Sequence, residues 1–333
     1  MIISILIVLR NAKDNIVNCI QSIESQFQGN NIEWELIIVD GMSDDGSKDV
    51  ATQYLKNKTY SWTVLDNPNK ILASGWNIGI KAAKGKYVLR PDVHATLHEG
   101  YISNGLKVLA DQPDVTAVGG ALQTQSKGFW GEIIAKALSS KIGVGGSPFR
   151  TNAADGFVDT VAYGIYRKSI FDRVGYFNET LKRHQDNDMH DRIKKVGGTF
   201  YLFGQMKADY YCRSTIYSLA KQMFQNGFYL TQLSIKKLRL RHVMPLIFYG
   251  SLVLLLLLTS FSMVFNGMAS LQLGCYFFVI ALLGIQIAFK SRHLKYMFLI
   301  WVIPVMHIAY ALGMFVGLFK FILNEIGVIS RSY

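Results

Sequence analysis

From Val243 to Phe289 the chain carries no Asp, Glu, Lys or Arg, and the same holds from Tyr296 to Phe319. A helix needs roughly 20 apolar residues to cross a bilayer, so the first run has room for two spans and the second for one. Asn266-Gly267 marks a tight turn between the first two. The alternative is a very apolar buried helical core. The runs are too long and too late for a signal peptide, and the N-terminus opens directly on a strand-like stretch. The positive mean hydropathy of +0.21 is concentrated in these runs. Basic residues border them: Lys236, Lys237, Arg239 and Arg241 before, Lys290, Arg292 and Lys295 between. Short basic loops stay cytoplasmic. The pattern predicts a multi-pass protein of the cytoplasmic membrane with its large N-terminal part in the cytoplasm. The net charge of +12 fits attraction to anionic membrane lipids and phosphate-bearing ligands. No nucleic-acid-binding motif accompanies it, so no nucleic-acid partner is expected. Cys19, Cys212 and Cys275 have neither disulfide nor metal spacing.

The N-terminal part alternates strand and helix patterns. Ser4–Leu9, Glu35–Val39, Thr63–Leu65 and Tyr87–Leu89 are apolar runs of strand length. Ile16 to Phe27, Lys48 to Lys56 and Ser74 to Ala83 have helical spacing between them. This order predicts an α/β fold, a Rossmann-like and mostly parallel sheet with helices on both faces. In such a sheet ligands bind at the carboxyl edge of the strands. Three strand ends place polar residues there: Arg10 and Asn11, Asp40 and Ser43, Asp92 and His94. An acidic residue such as Asp40 can hydrogen-bond a nucleoside. Asp92 and His94 follow the fourth strand after Pro91, with one residue between them, so both can face one ion. A carboxylate with an imidazole suits Mn2+ or Mg2+ holding a diphosphate; the bland alternative is a solvated turn. Neither a Gly-x-Gly-x-x-Gly nor a Walker-type phosphate loop is present, which counts against a dinucleotide enzyme or an ATPase.

Further on, Val115 to Val118 has strand character and is closed by Gly119-Gly120. Gly128 to Leu138 is a helix, in the core or on the membrane surface; its aromatic-aliphatic stripe suits both. The small polar stretch Gly143 to Ala154, with Arg150 inside it, is a mobile lid or a plain connector. In the cluster His184 to Arg192, Asp188, Asp191 and Arg192 suit the first turn of a helix, with Asp186 in the loop before it.

Taken together, Ser4 to Asn11, Val39 to Ser47, Asn77-x-Gly79 with Ala83-x-Gly85, and Arg90-Pro91-Asp92-Val93-His94 resemble family 2 glycosyltransferases of the GT-A fold. The succinoglycan-type glucosyltransferase branch is the most similar, and there the usual Asp-x-Asp metal motif is written Asp-x-His after an Arg. The resemblance continues through Gly143 to Arg150, Asp159 to Gly164, Lys221-Gln222-x-Phe224-x-x-Gly227 and Arg241-His242-x-x-Pro245. Val8, Arg10 and Gly41-Met42 depart from the wider family's residues. The resemblance implies a metal-dependent, inverting transferase. Asp92 and His94 would hold Mn2+ or Mg2+. Asp40 would contact the nucleoside, with Ser43 and Asp45 shaping the turn, and Arg90 and Arg150 would add charge at the phosphates of a nucleotide-diphosphate sugar, UDP-linked in the first instance. Asp186 falls where the general base sits, in a motif usually written Glu-Asp; Gln185 holds the Glu position and cannot act as a base, and Asp188 is the reserve. The Gln-x-x-Arg-Trp signature of processive synthases is absent, which points to addition of a single sugar.

These readings divide the chain into a catalytic domain over 1–215, an interfacial amphipathic segment over 216–242, a membrane domain of about three helices over 243–320, and a tail over 321–333. The membrane helices imply a lipid-linked saccharide acceptor in surface polysaccharide assembly. The alternatives are a simple polyprenyl phosphate acceptor, or a non-catalytic membrane scaffold with the same fold.

Overall fold

The computed structural model describes residues 2–151, 154–233 and 240–326. The chain forms two compact units: residues 1–123 with 148–211, and residues 124–147 with 212–333. The division is not linear, because a segment in the middle of the sequence folds with the C-terminal helices.

In the first unit, β1 (Ile3–Leu9), β2 (Trp34–Asp40), β3 (Ser61–Asp66) and β4 (Tyr87–Leu89) pair in parallel in the order β3-β2-β1-β4. Helices α1 (Lys13–Glu24), α2 (Ser47–Leu55) and α3 (Leu72–Ala82) connect them. Strand β1 is buried nearly throughout, as expected of a central strand covered on both faces. Ile3, Ile5, Ile7 and Leu9 enter the core layer that holds α1 and α2, while Leu6 enters the layer that holds α3. Beyond β4 the sheet turns antiparallel. The remaining strands are β5 (Ala95–Leu97), β6 (Val115–Gln125), β7 (Gly156–Val158), β8 (Ile165–Arg167) and β9 (Thr199–Tyr211). The β4–β8, β6–β8, β5–β9 and β7–β9 pairs are antiparallel. The parallel arrangement expected from the sequence therefore describes the N-terminal half of a mixed sheet. Helix α4 (Tyr101–Asp111) joins β5 to β6.

Gly119-Gly120 does not close a strand; β6 runs through it to Gln125. A Cβ on Gly120 would lie 1.7 Å from the carbonyl oxygen of Met206 on β9. The glycine makes room for a neighbouring backbone, which is a common reason for glycine inside a strand.

In the second unit, α5 (Gly128–Leu138) buries Ile133, Ile134, Ala137 and Leu138 against α9 (Ile216–Leu233), α11 (Met263–Ser291) and α12 (Leu299–Glu325). Its apolar face is therefore packed inside this unit. A short helix, α6 (Lys141–Val144), follows it, and α10 (Leu240–Leu258) precedes α11. Helix α9, expected at the membrane surface, packs lengthwise on α12. Three glycines allow it. A Cβ on Gly227 would meet the Tyr310 carbonyl at 2.2 Å, one on Gly313 the Phe224 carbonyl at 2.0 Å, and one on Gly317 the Phe228 carbonyl at 2.6 Å. Gly313 and Gly317 stand four apart, the spacing that lets apolar helices approach backbone to backbone.

Two segments, Met263–Ser291 and Leu294–Leu323, are long and apolar enough to cross a membrane; the apolar stretch His242–Leu258 is shorter. The charge pattern predicted three helices, and the apolar helices α10, α11 and α12 lie there; among the described residues the last two reach the length of a candidate span. Asn266-Gly267 lies inside α11, and the break before that helix falls at Thr259–Ser262, with the Ser262 hydroxyl accepting the Val264 N–H as an N-cap. Residues 321–325, expected in the tail, continue α12. The expected lipid-facing residues Lys236, Lys237 and Arg239, the Arg241 side chain, and the tail from 327 onward lie outside the described residues.

Candidate functional site

Because β1, β2 and β4 are parallel, the loops that follow them share one edge of the sheet. Register sharpens this. Leu9 pairs with Asp40, whereas Leu89 pairs with Ile5, so β4 stops well short of the end of β1.

The loop after β2 is closed by its own hydrogen bonds. Asp40, buried at the strand end, accepts the Ser43 backbone N–H on Oδ2 at 3.0 Å and the Ser43 hydroxyl on Oδ1 at 2.6 Å. Ser43 Oγ in turn accepts the Asn11 N–H at 3.0 Å. Asn11, in the left-handed region at φ 52°, exchanges two hydrogen bonds with Asp44. Asp45 accepts the Lys13 N–H on Oδ2 and the Ser47 N–H and hydroxyl on Oδ1. These bonds, the Ser47 hydroxyl foremost, hold the Asp45 carboxyl below the ordinary carboxylate range. The Ser47 hydroxyl accepts the Ala12 N–H at 2.8 Å. Helix α1 has no cap of its own; the β2–α2 loop satisfies its first N–H groups instead.

The turn after β4 is different. Asp92 and His94 are exposed, while Pro91, Val93 and Ala95 between and beside them are buried, so both polar side chains share the outer face. Asp92 Oδ1 accepts the His94 N–H at 3.1 Å; Oδ2 and the His94 ring have no protein partner among the described residues. No group of three His, Cys, Asp or Glu side chains gathers at one point among the described residues. Two protein donors, one hard carboxylate and one imidazole, fit a cation that takes its remaining ligands from substrate phosphates and water. Next to them, burial, with Asp92 and Tyr210 adding to it, pushes the Tyr163 hydroxyl well up. The Arg150 guanidinium lies 4.7 Å from the centroid of the Tyr210 ring, and its buried Nη1 has no hydrogen-bond partner among the described residues.

Arg90 does not share that outer face. Its side chain is 4% exposed, and its guanidinium carbon sits 4.2 Å from the Trp76 ring centroid and 4.4 Å from that of Phe177. From this aromatic box its Nη2 donates to Asp186 Oδ1 at 2.8 Å and to the Tyr166 hydroxyl at 3.2 Å. Asp186 is not in a preceding loop but in the first turn of α8 (Gln185–Lys195), which His184 opens at φ 62°. Its side chain is 50% exposed. Asp188, by contrast, is 14% exposed and accepts Arg192 Nε at 3.1 Å. The same Arg192 donates to the carbonyls of Val174 and Tyr176 beside helix α7 (Ser169–Val174), so Asp188 belongs to the clamp that seats α8. Gln185 is buried and bonds the Leu181 carbonyl.

Tyr166 and His190 were not singled out from the sequence. Tyr166 Oη lies 2.6 Å from His190 Nε2, and His190 Nδ1 lies 2.7 Å from Thr160 Oγ1. Burial pushes His190 down to about 4 and the Tyr166 hydroxyl up to about 12. The available signal was the spacing of His190 four residues after Asp186, one helical turn on.

Residues 4–175 match the pattern of glycosyl transferase family 2. The dolichyl N-acetyl-alpha-D-glucosaminyl phosphate 3-beta-D-2,3-diacetamido-2,3-dideoxy-beta-D-glucuronosyltransferase of Methanococcus voltae is 26% identical, over 96% of this chain and 97% of its own. Succinoglycan biosynthesis protein ExoA of Rhizobium meliloti is 28% identical over 58% of each chain. Among solved structures, the mannosyltransferase PcManGT from Pyrobaculum calidifontis, in complex with GDP-Man and Mn2+, superposes with a TM-score of 0.62. It is 13% identical over 92% of this chain and 86% of that one, a likeness of fold.

Proposed function

This chain belongs to glycosyl transferase family 2, and from that premise we propose that it moves one sugar from a nucleotide-diphosphate sugar, with inversion, onto a lipid-linked saccharide during polysaccharide assembly at the cytoplasmic face of a membrane. The observation that carries the reading is the Arg90–Asp186 contact at 2.8 Å. It brings an exposed carboxylate from α8 to within two residues of the Asp92–His94 turn. A base and a leaving-group site are needed together for a direct displacement.

Asp186 takes the proton from the acceptor hydroxyl. As that oxygen bonds to the anomeric carbon, the bond from the carbon to the diphosphate breaks, and its electron pair leaves with the nucleoside diphosphate. One base and an in-line attack invert the configuration. Asp92 and His94 would hold Mn2+ or Mg2+, which when bound would neutralise charge on the departing diphosphate. Arg150, whose buried Nη1 lacks a partner among the described residues, adds a donor for the phosphates. Asp40 offers its remaining acceptor capacity to the nucleoside. The archaeal relative supports a saccharide acceptor, since its name describes transfer onto a sugar already joined to dolichyl phosphate. The two candidate spans support membrane attachment.

The test is transfer of labelled sugar from UDP-glucose, UDP-galactose, UDP-N-acetylglucosamine and GDP-mannose into lipid extract by membranes carrying the protein. Transfer from one donor that vanishes in Asp186→Asn, while nucleotide binding persists, is the expected result. Full turnover by Asp186→Asn would remove Asp186 as the base.

A further inference from the structure

We propose that Arg90, Tyr166 and His190 are positioning residues that hold Asp186 with one carboxylate oxygen engaged and the other presented to the acceptor; the inference rests on the reading of Asp186 as the base. Four groups from three separate elements form one line: Asp186 on α8, Arg90 after β4, Tyr166 on β8, and His190 again on α8, anchored to Thr160.

The direction of the bonds in that line follows from its first member together with the need of the buried Tyr166 proton for an acceptor. A guanidinium only donates, so Tyr166 Oη accepts from Arg90 Nη2. The Tyr166 proton must then go to His190 Nε2, which has to be the unprotonated nitrogen. The other nitrogen, Nδ1, carries the hydrogen and donates to Thr160 Oγ1. An imidazolium would point a second donor at Tyr166 Oη and leave the phenol proton without an acceptor. The neutral ring is thus a geometric requirement of the line, and His190, 1% exposed, is buried deeply enough to stay neutral. Arg90 is equally constrained from the other side. Trp76 and Phe177 lie against its guanidinium at 4.2 and 4.4 Å, so its planar fork is held before any substrate arrives.

The neighbouring carboxylate shows what the arrangement is not. Asp188 also binds an arginine, but it is 14% exposed and its Arg192 continues to backbone carbonyls, which makes a structural clamp. Asp186 is 50% exposed, and its arginine continues to a tyrosine and a histidine. Of these two carboxylates, Asp186 is the one that combines a fixed oxygen with an exposed side chain. A base held in this way is already oriented when the acceptor hydroxyl binds, and the benefit belongs to the transfer step rather than to donor binding. The rival assignment puts Arg90 on the donor phosphates, and it predicts the opposite division of kinetic effects.

The experiment is steady-state transfer by the full-length protein in detergent, with the labelled donors named above, reading kcat and the donor KM separately. Tyr166→Phe keeps shape and stacking and removes only the hydroxyl. It is expected to lower kcat about tenfold with the donor KM within about twofold. His190→Leu should match it. His190→Gln, whose amide can accept at one end and donate at the other, should recover most of the loss. Arg90→Gln should lower kcat about 100-fold with the donor KM within about twofold. Loss confined to the donor KM in Arg90→Gln would overturn the proposal in favour of phosphate binding. Tyr166→Phe and His190→Leu both retaining kcat within twofold, while Asp186→Asn is inactive, would also overturn it and leave the base assignment standing. Full turnover by Asp186→Asn would remove the base and the line together.

Discussion

The loop after β2 and the turn after β4 occupy the same edge of the sheet and are both rich in acidic and hydroxyl groups, yet they are finished to different degrees. In the first, Asp40, Asp44 and Asp45 all accept hydrogen bonds from neighbouring N–H, amide or hydroxyl groups, and the loop caps α1. In the second, Asp92 spends one oxygen on its own turn, and His94 spends nothing from its ring. A loop closed on itself contributes to stability with or without substrate. A turn that leaves donors exposed contributes through what it binds. Mutations in the two places should therefore separate stability from activity, and three measurements test the separation.

The largest effect is expected at the open turn. Asp92→Ala should lower transfer by about 100-fold or more, with no change in thermal midpoint beyond a degree or two. His94→Ala should be milder and should recover part of its rate as Mn2+ is raised. A large drop in midpoint for Asp92→Ala would show that this turn is structural, like its neighbour. The second effect concerns the buried line beneath the turn. Thr160, Tyr166, Arg90, Asp186, Asp191 and Lys194 surround His190, which burial holds at about 4 against an ordinary value near 6.5. The unfolded chain thus binds a proton that the folded chain refuses. Stability is complete above about pH 6.5 and falls as the pH drops towards 4, by about 3 kcal/mol over that window. Unfolding followed across that range should show the slope in the wild type and lose much of it in His190→Gln. The smallest effect is expected in the closed loop. Ser47→Ala removes an acceptor for the Ala12 N–H and should cost about 1–2 kcal/mol of stability while leaving the donor KM close to wild type. If Ser47→Ala instead abolished donor binding at unchanged stability, the contrast between the two regions would collapse.

How far the sequence discloses all this depends on whether a residue's role is local. Strands β1, β2 and β4 and helices α2 and α5 are visible because an unbroken apolar run or a helical stripe shows how they are buried. The Asp92–His94 turn is visible because Pro91 and the one-residue spacing are local too. The failures have distant causes. Gly119-Gly120 resembles a stop, but the carbonyl of Met206, far along the chain, is what requires the glycine. Asn266-Gly267 resembles a turn, but in a helix of such apolar composition the backbone groups have no better partner than each other, and α11 runs on. Arg90 is a different case: its motif suggests phosphates, while the contacts it makes with Trp76, Phe177 and Tyr166 come from residues far from it in sequence. Tyr166 and His190 each look like ordinary core residues until the fold brings them together.

The middle segment that folds with the C-terminal helices has a practical consequence for anyone wishing to handle the catalytic unit alone. The chain passes between the units at 123/124, 147/148 and 211/212, so truncation after residue 211 does not release a self-sufficient fragment. It would keep α5 while discarding α9, α11 and α12, leaving Ile133, Ile134, Ala137 and Leu138 without the side chains that cover them. Such a fragment would offer a sticky apolar helix to every other copy in solution. A usable excision has to remove 124–147 as well, bridging Gln123 to Pro148 with a short polar linker, and the boundary that matters for expression is therefore a pair of cuts rather than one.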